Sequence, residues 1–256
     1  MARGISIHIG VNAVDPAHYG SSFPLYGCEA DAAAWMRLAG SLGYLSRALL
    51  TGSARSHYVF EALDQAARDL HSGDILLLTY SGHGSQVKDE AGNEHDGLNE
   101  TWCLFDRMVT DDELSAKFAQ FKTGVRLVLV SDSCHSGTVA RSPLDMTGSP
   151  RFIPAATAQS IVDGHRMSYA VPRDIYKNPG LMDVSGIAFM ACKDNQVAQE
   201  ISGMGAWSRS LLTDAGKGLT YRQLYEVAQA NVARPQEPIL DIFGAGDISE
   251  QTAFAI

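Results

Sequence analysis

The sequence is poor in the features that mark a membrane or nucleic-acid protein. No apolar run approaches the roughly 20 residues a membrane-spanning helix needs, so no membrane partner is expected. Lys and Arg number 20 against 29 Asp and Glu, a net charge of −9, and no basic tract occurs. That balance argues against nucleic acid and anionic membranes as partners. Cysteine is scarce. Cys28, Cys103, Cys134 and Cys192 are the four, and no Cys-x-x-Cys pair exists, which argues against a zinc site. The opening Met-Ala-Arg-Gly-Ile-Ser-Ile-His-Ile-Gly lacks the apolar core and cleavage site of a signal peptide. A cytoplasmic location with reduced thiols is therefore expected.

What is present is an alternation of strands and helices. Gly4–Val11, Tyr44–Leu50, Asp74–Tyr80, Val125–Ser131 and Gly186–Ala191 read as apolar strands. Trp102–Phe105 is a short strand, and Pro238–Phe243 a last edge strand. Glu29–Leu42, Ser53–Leu70, Ala206–Ala215 and Thr220–Val232 carry helical periodicity, with Ser53 as an N-cap. Thr110-Asp-Asp-Glu113 is a capping box opening a helix to Phe121. Ser81–Glu100 reads as a polar loop. Val139–Asp183 shows little periodicity and is too long for a plain connector. This order predicts an α/β fold with a mostly parallel sheet, six-stranded or slightly larger, and helices on both faces. The active crevice of such a sheet lies beyond the carboxyl ends of its strands.

Two residues fall just past such ends. His83 sits in Tyr80-Ser-Gly-His-Gly-Ser, and Cys134 in Ser131-Asp-Ser-Cys-His-Ser-Gly. A thiol attacks well only as thiolate, and a neighbouring imidazole can take its proton. The pair is the predicted dyad. The turn after Cys134 can aim backbone N–H groups at an oxyanion. Two other chemistries fail on the letters. Cys134 to Arg141 has one residue too many for a cysteine-phosphatase loop, and neither Ser85 nor Ser133 has the flanking glycines of a nucleophile elbow.

Tyr80-Ser-Gly-His-Gly-Ser-Gln86, Asp96-Gly-Leu-Asn-Glu-Thr-Trp102, Asp111-Asp-Glu113 and Asp132-Ser-Cys-His-Ser-Gly137 together resemble the metacaspases. Gly27-Cys-Glu-Ala-Asp31 and Ala191-Cys-Lys-Asp-Asn-Gln-Val197 extend the likeness over Ile5 to roughly Pro238. The motifs look most like the bacterial branch, sometimes called orthocaspases. The resemblance implies a caspase-hemoglobinase-like fold in a single domain, residues 1–256. Its parts would be a p20-like stretch over 1–138, a mobile loop over 139–184 and a p10-like stretch over 185–256. It implies a cysteine endopeptidase with Cys134 as nucleophile and His83 as general acid/base. The amides of Gly84 and Cys134 would form the oxyanion hole. Cys28, Asp31, Ser81 and Asp132 match the positions lining the S1 pocket, for protein or peptide substrates cut after Arg or Lys. Two converging carboxylates need a cation between them, which gives that pocket independent sense.

No cofactor is needed for such chemistry. Calcium is a conceivable activator at Asp111, Asp112, Asn99 and Glu100, although Arg141 stands where another acidic ligand belongs. Arg141, Arg151, Arg166, Arg173 and Lys177 are candidate self-cleavage positions in the 139–184 stretch. A monomer is the family expectation. The rival reading is a catalytically silent caspase-like module that binds partners.

Overall fold

The computed structural model describes residues 2–90, 92, 96–134, 149–170, 183–193, 198–233 and 236–256. The strands are β1 (Gly4–Gly10), β2 (Leu45–Leu50), β3 (Ile75–Ser81), β4 (Gly84–Lys88), β5 (Leu98–Cys103), β6 (Met108–Thr110), β7 (Arg126–Asp132), β8 (Ser149–Pro150), β9 (Ser185–Met190), β10 (Gln199–Ile201), β11 (Met204–Gly205) and β12 (Ile239–Gly244). The α-helices are α1 (Pro16–Tyr19), α2 (Cys28–Ser41), α3 (Ser56–Asp69), α4 (Asp111–Phe118), α5 (Ala155–Gly164), α6 (Ala206–Asp214) and α7 (Tyr221–Asn231).

Six strands form one sheet in the order β12-β9-β7-β3-β1-β2. Only the β12 edge runs antiparallel to its neighbour. Every residue of β3, at the centre, is buried. Its side chains alternate between the two faces, as the strand period of two requires. Leu76, Leu78 and Tyr80 join one core with Leu63 and Ala66 of α3, Phe118 of α4 and Ile161 of α5. Ile75 and Leu77 join the other, with Trp35 of α2, Trp207 and Leu211 of α6 and Tyr221 of α7. Each such buried Leu or Ile contributes roughly 1.5–3 kcal/mol, so the two cores hold the layers on the sheet. The sheet runs without a break from the N-terminal part into β9 and β12, and both parts share it.

Three local readings need correction. Ser81–Glu100 is not simply a loop, because β4 and β5 pair within it as an antiparallel hairpin. Ser85, Asn99 and Thr101 are buried there, so the strands bury polar side chains and show no apolar alternation. Ser53 does not cap the long helix. α3 starts at Ser56, whose backbone N–H donates to Asp106 Oδ1 at 2.7 Å and whose hydroxyl meets Oδ2 at 2.8 Å. A carboxylate fifty residues away caps that end, as its charge and the helix dipole favour. The 139–184 stretch is not loop throughout. α5 occupies 155–164 and buries Ala158 and Ile161, and a 3-10 turn follows at Arg166–Tyr169.

Candidate active site

The register of β3 against β7 places the site. Ser81 pairs with Asp132 across the two strand ends, so the turns that carry His83 and Cys134 leave the sheet from adjacent strands. Both are buried. Beneath them lies the pocket predicted from Cys28, Asp31, Ser81 and Asp132, and a guanidinium fills it.

The guanidinium belongs to Arg151, which is fully buried. Its Nη2 lies 2.7 Å from Asp31 Oδ2 and 3.7 Å from Glu200 Oε2. Its Nη1 lies 3.2 Å from Asp132 Oδ1 and donates to the Asp132 carbonyl at 3.1 Å. Ser81 Oγ is 3.4 Å from Nη1 and itself donates to Asp31 Oδ2 at 3.0 Å. Burial opposes the charge on Arg151, yet Asp132, Cys28 and Asp31 more than offset that penalty and raise its pKa. Burial lifts Asp31 to about 6, against the pull of Arg151. Burial pushes the Cys28 thiol up to about 12, and nearby Arg151 opposes the rise. All four residues expected in this pocket thus converge on one cation.

The backbone of the same residue is held as firmly. The Arg151 carbonyl accepts from Gly84 N–H and from Cys134 N–H, both at 3.1 Å. These are the two amides expected to form the oxyanion hole. Arg151 N–H donates to the Ala198 carbonyl at 3.2 Å, and β8, just before it, pairs antiparallel with β10. On the other side Ile153 N–H donates to the Gly84 carbonyl at 2.9 Å. The segment therefore lies along the site as an added strand, the usual way an extended peptide is bound.

His83 Nε2 lies 2.8 Å from the Phe23 carbonyl. A carbonyl only accepts, so Nε2 carries the proton and Nδ1 keeps a lone pair. Among the described residues Nδ1 has no hydrogen-bond partner. Phe23 holds a positive φ of 40°, a cost for a non-glycine residue at a turn that aims its carbonyl at the histidine. Burial lowers His83 to about 4, against the raising effect of that hydrogen bond. Burial also pushes the Cys134 thiol well above its ordinary value, and Cys192 beside it adds to the rise. The Cys134 sulfur contacts the Ala198 N–H. The site is thus poised as neutral thiol and neutral imidazole. Any reaction that uses His83 Nδ1 as a proton acceptor is expected to keep its rate down to about pH 4 and to fall below it, as the imidazole protonates. Peptide hydrolysis followed against pH checks this; a limb near the ordinary 6.5 would show a solvated histidine.

Four contributors escaped the sequence reading. Glu200 adds a third carboxylate, held by Tyr26 N–H at 3.1 Å. Gly205 N–H donates to both oxygens of Asp31 at 3.1 Å, and a Cβ there would collide with Asp132 and Arg151. Ser208 N–H, in the first turn of α6, donates to Asp132 Oδ2 at 2.7 Å. Phe23 offers only a backbone carbonyl. The one available signal was the glycine before the α6 pattern.

The calcium positions are less coherent. Asn99 Nδ2 donates to Asp112 Oδ2 at 3.2 Å, and Glu100 meets Gln86 at 3.2 Å. Asp111 and Asp112 lie in the first turn of α4, where Thr110 and Glu113 complete the expected capping box. Among the described residues no three His, Cys, Asp or Glu side chains converge as a metal set. No step below passes through a metal. Of the candidate cleavage positions, Arg141, Arg173 and Lys177 lie outside the described residues. Arg166 is on the surface, paired with Asp163 at 3.5 Å.

Residues 6–143 match the family described as metacaspase, peptidase C14 domain. The chain belongs to the metacaspase family. Among curated relatives, metacaspase-1 of Plasmodium falciparum is 30% identical over 80% of this chain. Metacaspase-1 of Arabidopsis thaliana is 34% identical over 52% of it. The chain spans about a third of the length of these relatives, 32% and 34%. The crystal structure of protein GSU0716 from Geobacter sulfurreducens superposes with a TM-score of 0.88 at 36% identity, covering 98% of both chains. Caspase-1 from Spodoptera frugiperda shares the fold, with a TM-score of 0.55 at 14% identity over 95% of this chain and 86% of that one. This metacaspase chain therefore has the caspase-like fold expected of it.

Proposed function

We propose that this metacaspase is a cysteine endopeptidase that cleaves after Arg, and less readily after Lys, and that its own Arg151–Phe152 bond is its first substrate. The observation that carries the reading is the seating of Arg151, with its side chain among three carboxylates and its carbonyl on two amides. In the reaction His83 Nδ1 takes the Cys134 proton as the sulfur attacks the Arg151 carbonyl carbon. The Gly84 and Cys134 amides hold the oxyanion. His83 then protonates the Phe152 nitrogen as the C–N bond breaks, and water resolves the thioester. Arg is favoured over Lys because different acceptors meet Nη1 and Nη2, which a single ammonium cannot satisfy together.

Protein and peptide substrates with Arg or Lys at P1 follow from the same pocket. No helix among the described residues is long and apolar enough to cross a membrane. A reduced, cytoplasmic setting belongs to the proposal, as the thiol chemistry suits it, and a monomeric state is carried over as the family expectation. A silent binding module would have no use for an oxyanion hole in register with an acidic pocket. Covalent labelling by an Arg-peptide chloromethylketone separates the two readings.

Fluorogenic peptides varied at P1, assayed with calcium and with chelator, test the specificity. Asp132→Ala is expected to lower kcat/KM by about 2–5 kcal/mol in transition-state binding, since it strands a buried cation. Glu200→Gln is expected to act mainly on the Arg-to-Lys ratio and to narrow it. Unchanged kinetics on both substrates would remove these residues from the pocket.

A further inference from the structure

Hydrolysis of a peptide bond is normally one-way because the leaving amine diffuses off. In the uncut chain both sides of the Arg151–Phe152 bond are anchored. On the amine side, Ile153 is fully buried, and its carbonyl accepts from Ser85 Oγ at 2.7 Å. Phe152 bridges to Gly84, Ile153 N–H is bonded to the Gly84 carbonyl, and α5 beyond them buries Ala158 and Ile161 in the core. Lys88 N–H also bonds Gln159 on α5 at 2.9 Å. On the acyl side, Arg151 has ion pairs with Asp31, Asp132 and Glu200, and Pro150 is paired with Gln199.

Resting on the reading of Arg151–Phe152 as a self-cleaved bond, we infer that this site also runs backwards, as a peptide ligase that reseals its own chain. The Arg151 carboxyl group re-forms the Cys134 thioester with loss of water. The Phe152 amine, held beside it, attacks the thioester carbon through its nitrogen lone pair. The C–S bond breaks as the C–N bond forms. His83 Nδ1 takes the surplus proton from nitrogen and returns it to the Cys134 sulfur. The sum is carboxylic acid plus amine giving amide plus water, and no other reactant is required.

The physical ground is proximity. Two ends held within one fold react as a unimolecular pair, at effective concentrations of millimolar and far above. The entropy gained by releasing a fragment, which drives ordinary proteolysis, is withheld. The anchored amine also competes with water for the thioester. The intact and cut chains are then two states in exchange, and the seated segment acts as a reversible plug of the pocket.

The test incubates the full chain in heavy-oxygen water at pH about 8, where an α-amine is largely neutral. The chain is then digested in ordinary water with a protease that does not cut after Arg, and the peptides spanning residue 151 are weighed. The expected result is heavy oxygen in the uncut Arg151–Phe152 peptide of the wild type and none in Cys134→Ala. Heavy oxygen confined to the cut peptide ending at Arg151 would overturn resealing while leaving self-cleavage intact. No heavy oxygen in either peptide would overturn self-cleavage itself, and resealing with it. Equal labelling of the uncut peptide in Cys134→Ala would assign the exchange to solvent chemistry and overturn the inference.

Discussion

Cys134→Ala is expected to slow the appearance of a new N-terminus at Phe152 by at least roughly 10⁴-fold, the scale on which removing a covalent nucleophile acts. The thiol is the attacking group of the proposed reaction, and alanine offers no substitute for it. The oxyanion amides and the acidic pocket survive, so the variant still seats Arg151. Folding should therefore be nearly unaffected. Cys134 is buried, and removing one sulfur leaves a small cavity, worth about 1 kcal/mol or less. N-terminal sequencing of the fragments and a urea unfolding curve read the two halves of this result. Fragments identical to those of the wild type would mean that another protease cuts the chain. A collapse in stability would mean that the sulfur is a structural side chain and that loss of cutting says nothing about chemistry.

Arg151→Met is expected to destabilise the uncut chain by about 3–5 kcal/mol, as when one partner of a buried ion pair is removed. The arginine is fully buried, and so are Asp31 and Asp132. Methionine fills much of the volume and leaves Asp31, Asp132 and Glu200 facing one another without a cation. The pH dependence has a definite sign. Asp31 already titrates at about 6, above its ordinary 3.8, because burial disfavours its charge. A carboxyl whose folded pKa is raised binds more protons in the folded state. Its penalty is therefore relieved as the pH falls below about 6 and is largest above it. Without the guanidinium that window extends upward. The variant should regain stability in acid, and free arginine should stabilise it by binding the vacated pocket. Urea midpoints at several pH values, with and without arginine, measure this. A midpoint equal to that of the wild type at every pH would show that the segment is not seated in solution.

The two substitutions separate functions that one turn combines. Cys134 lies two residues beyond Asp132, so a single strand end carries both the proposed nucleophile and part of the proposed substrate pocket. Losing the first stops chemistry with the pocket full. Losing Arg151 empties the pocket with the chemistry intact, and peptide substrates then meet no internal competitor.

Much of this was legible in the letters. The apolar runs of β3 and β7 are continuous because both strands are buried on two faces, and such runs announce themselves. The turns after them carry a histidine and a cysteine, residue types whose chemistry is recognisable without coordinates. Asp31 and Asp132 were legible as a pair once a cationic substrate was considered. The hairpin of β4 and β5 was not, because its buried side chains are polar and its pattern mimics a loop. The capping of α3 was missed because Asp106 reaches it from across the chain rather than from the preceding turn.

By itself, then, the sequence determined the fold class, and its resemblance to a family pointed to Cys134, His83 and an acidic pair at Asp31 and Asp132 awaiting a positive charge. The tertiary structure decided which charge answers it. Five basic residues in one irregular stretch look alike as letters. Only the β3–β7 register and the pairing of β8 with β10 bring Arg151 to carboxylates at positions 31, 132 and 200 and to the amides of 84 and 134. Local periodicity specifies elements. Contacts among residues so far apart depend on how the elements pack, and that is where the occupant of the pocket was chosen.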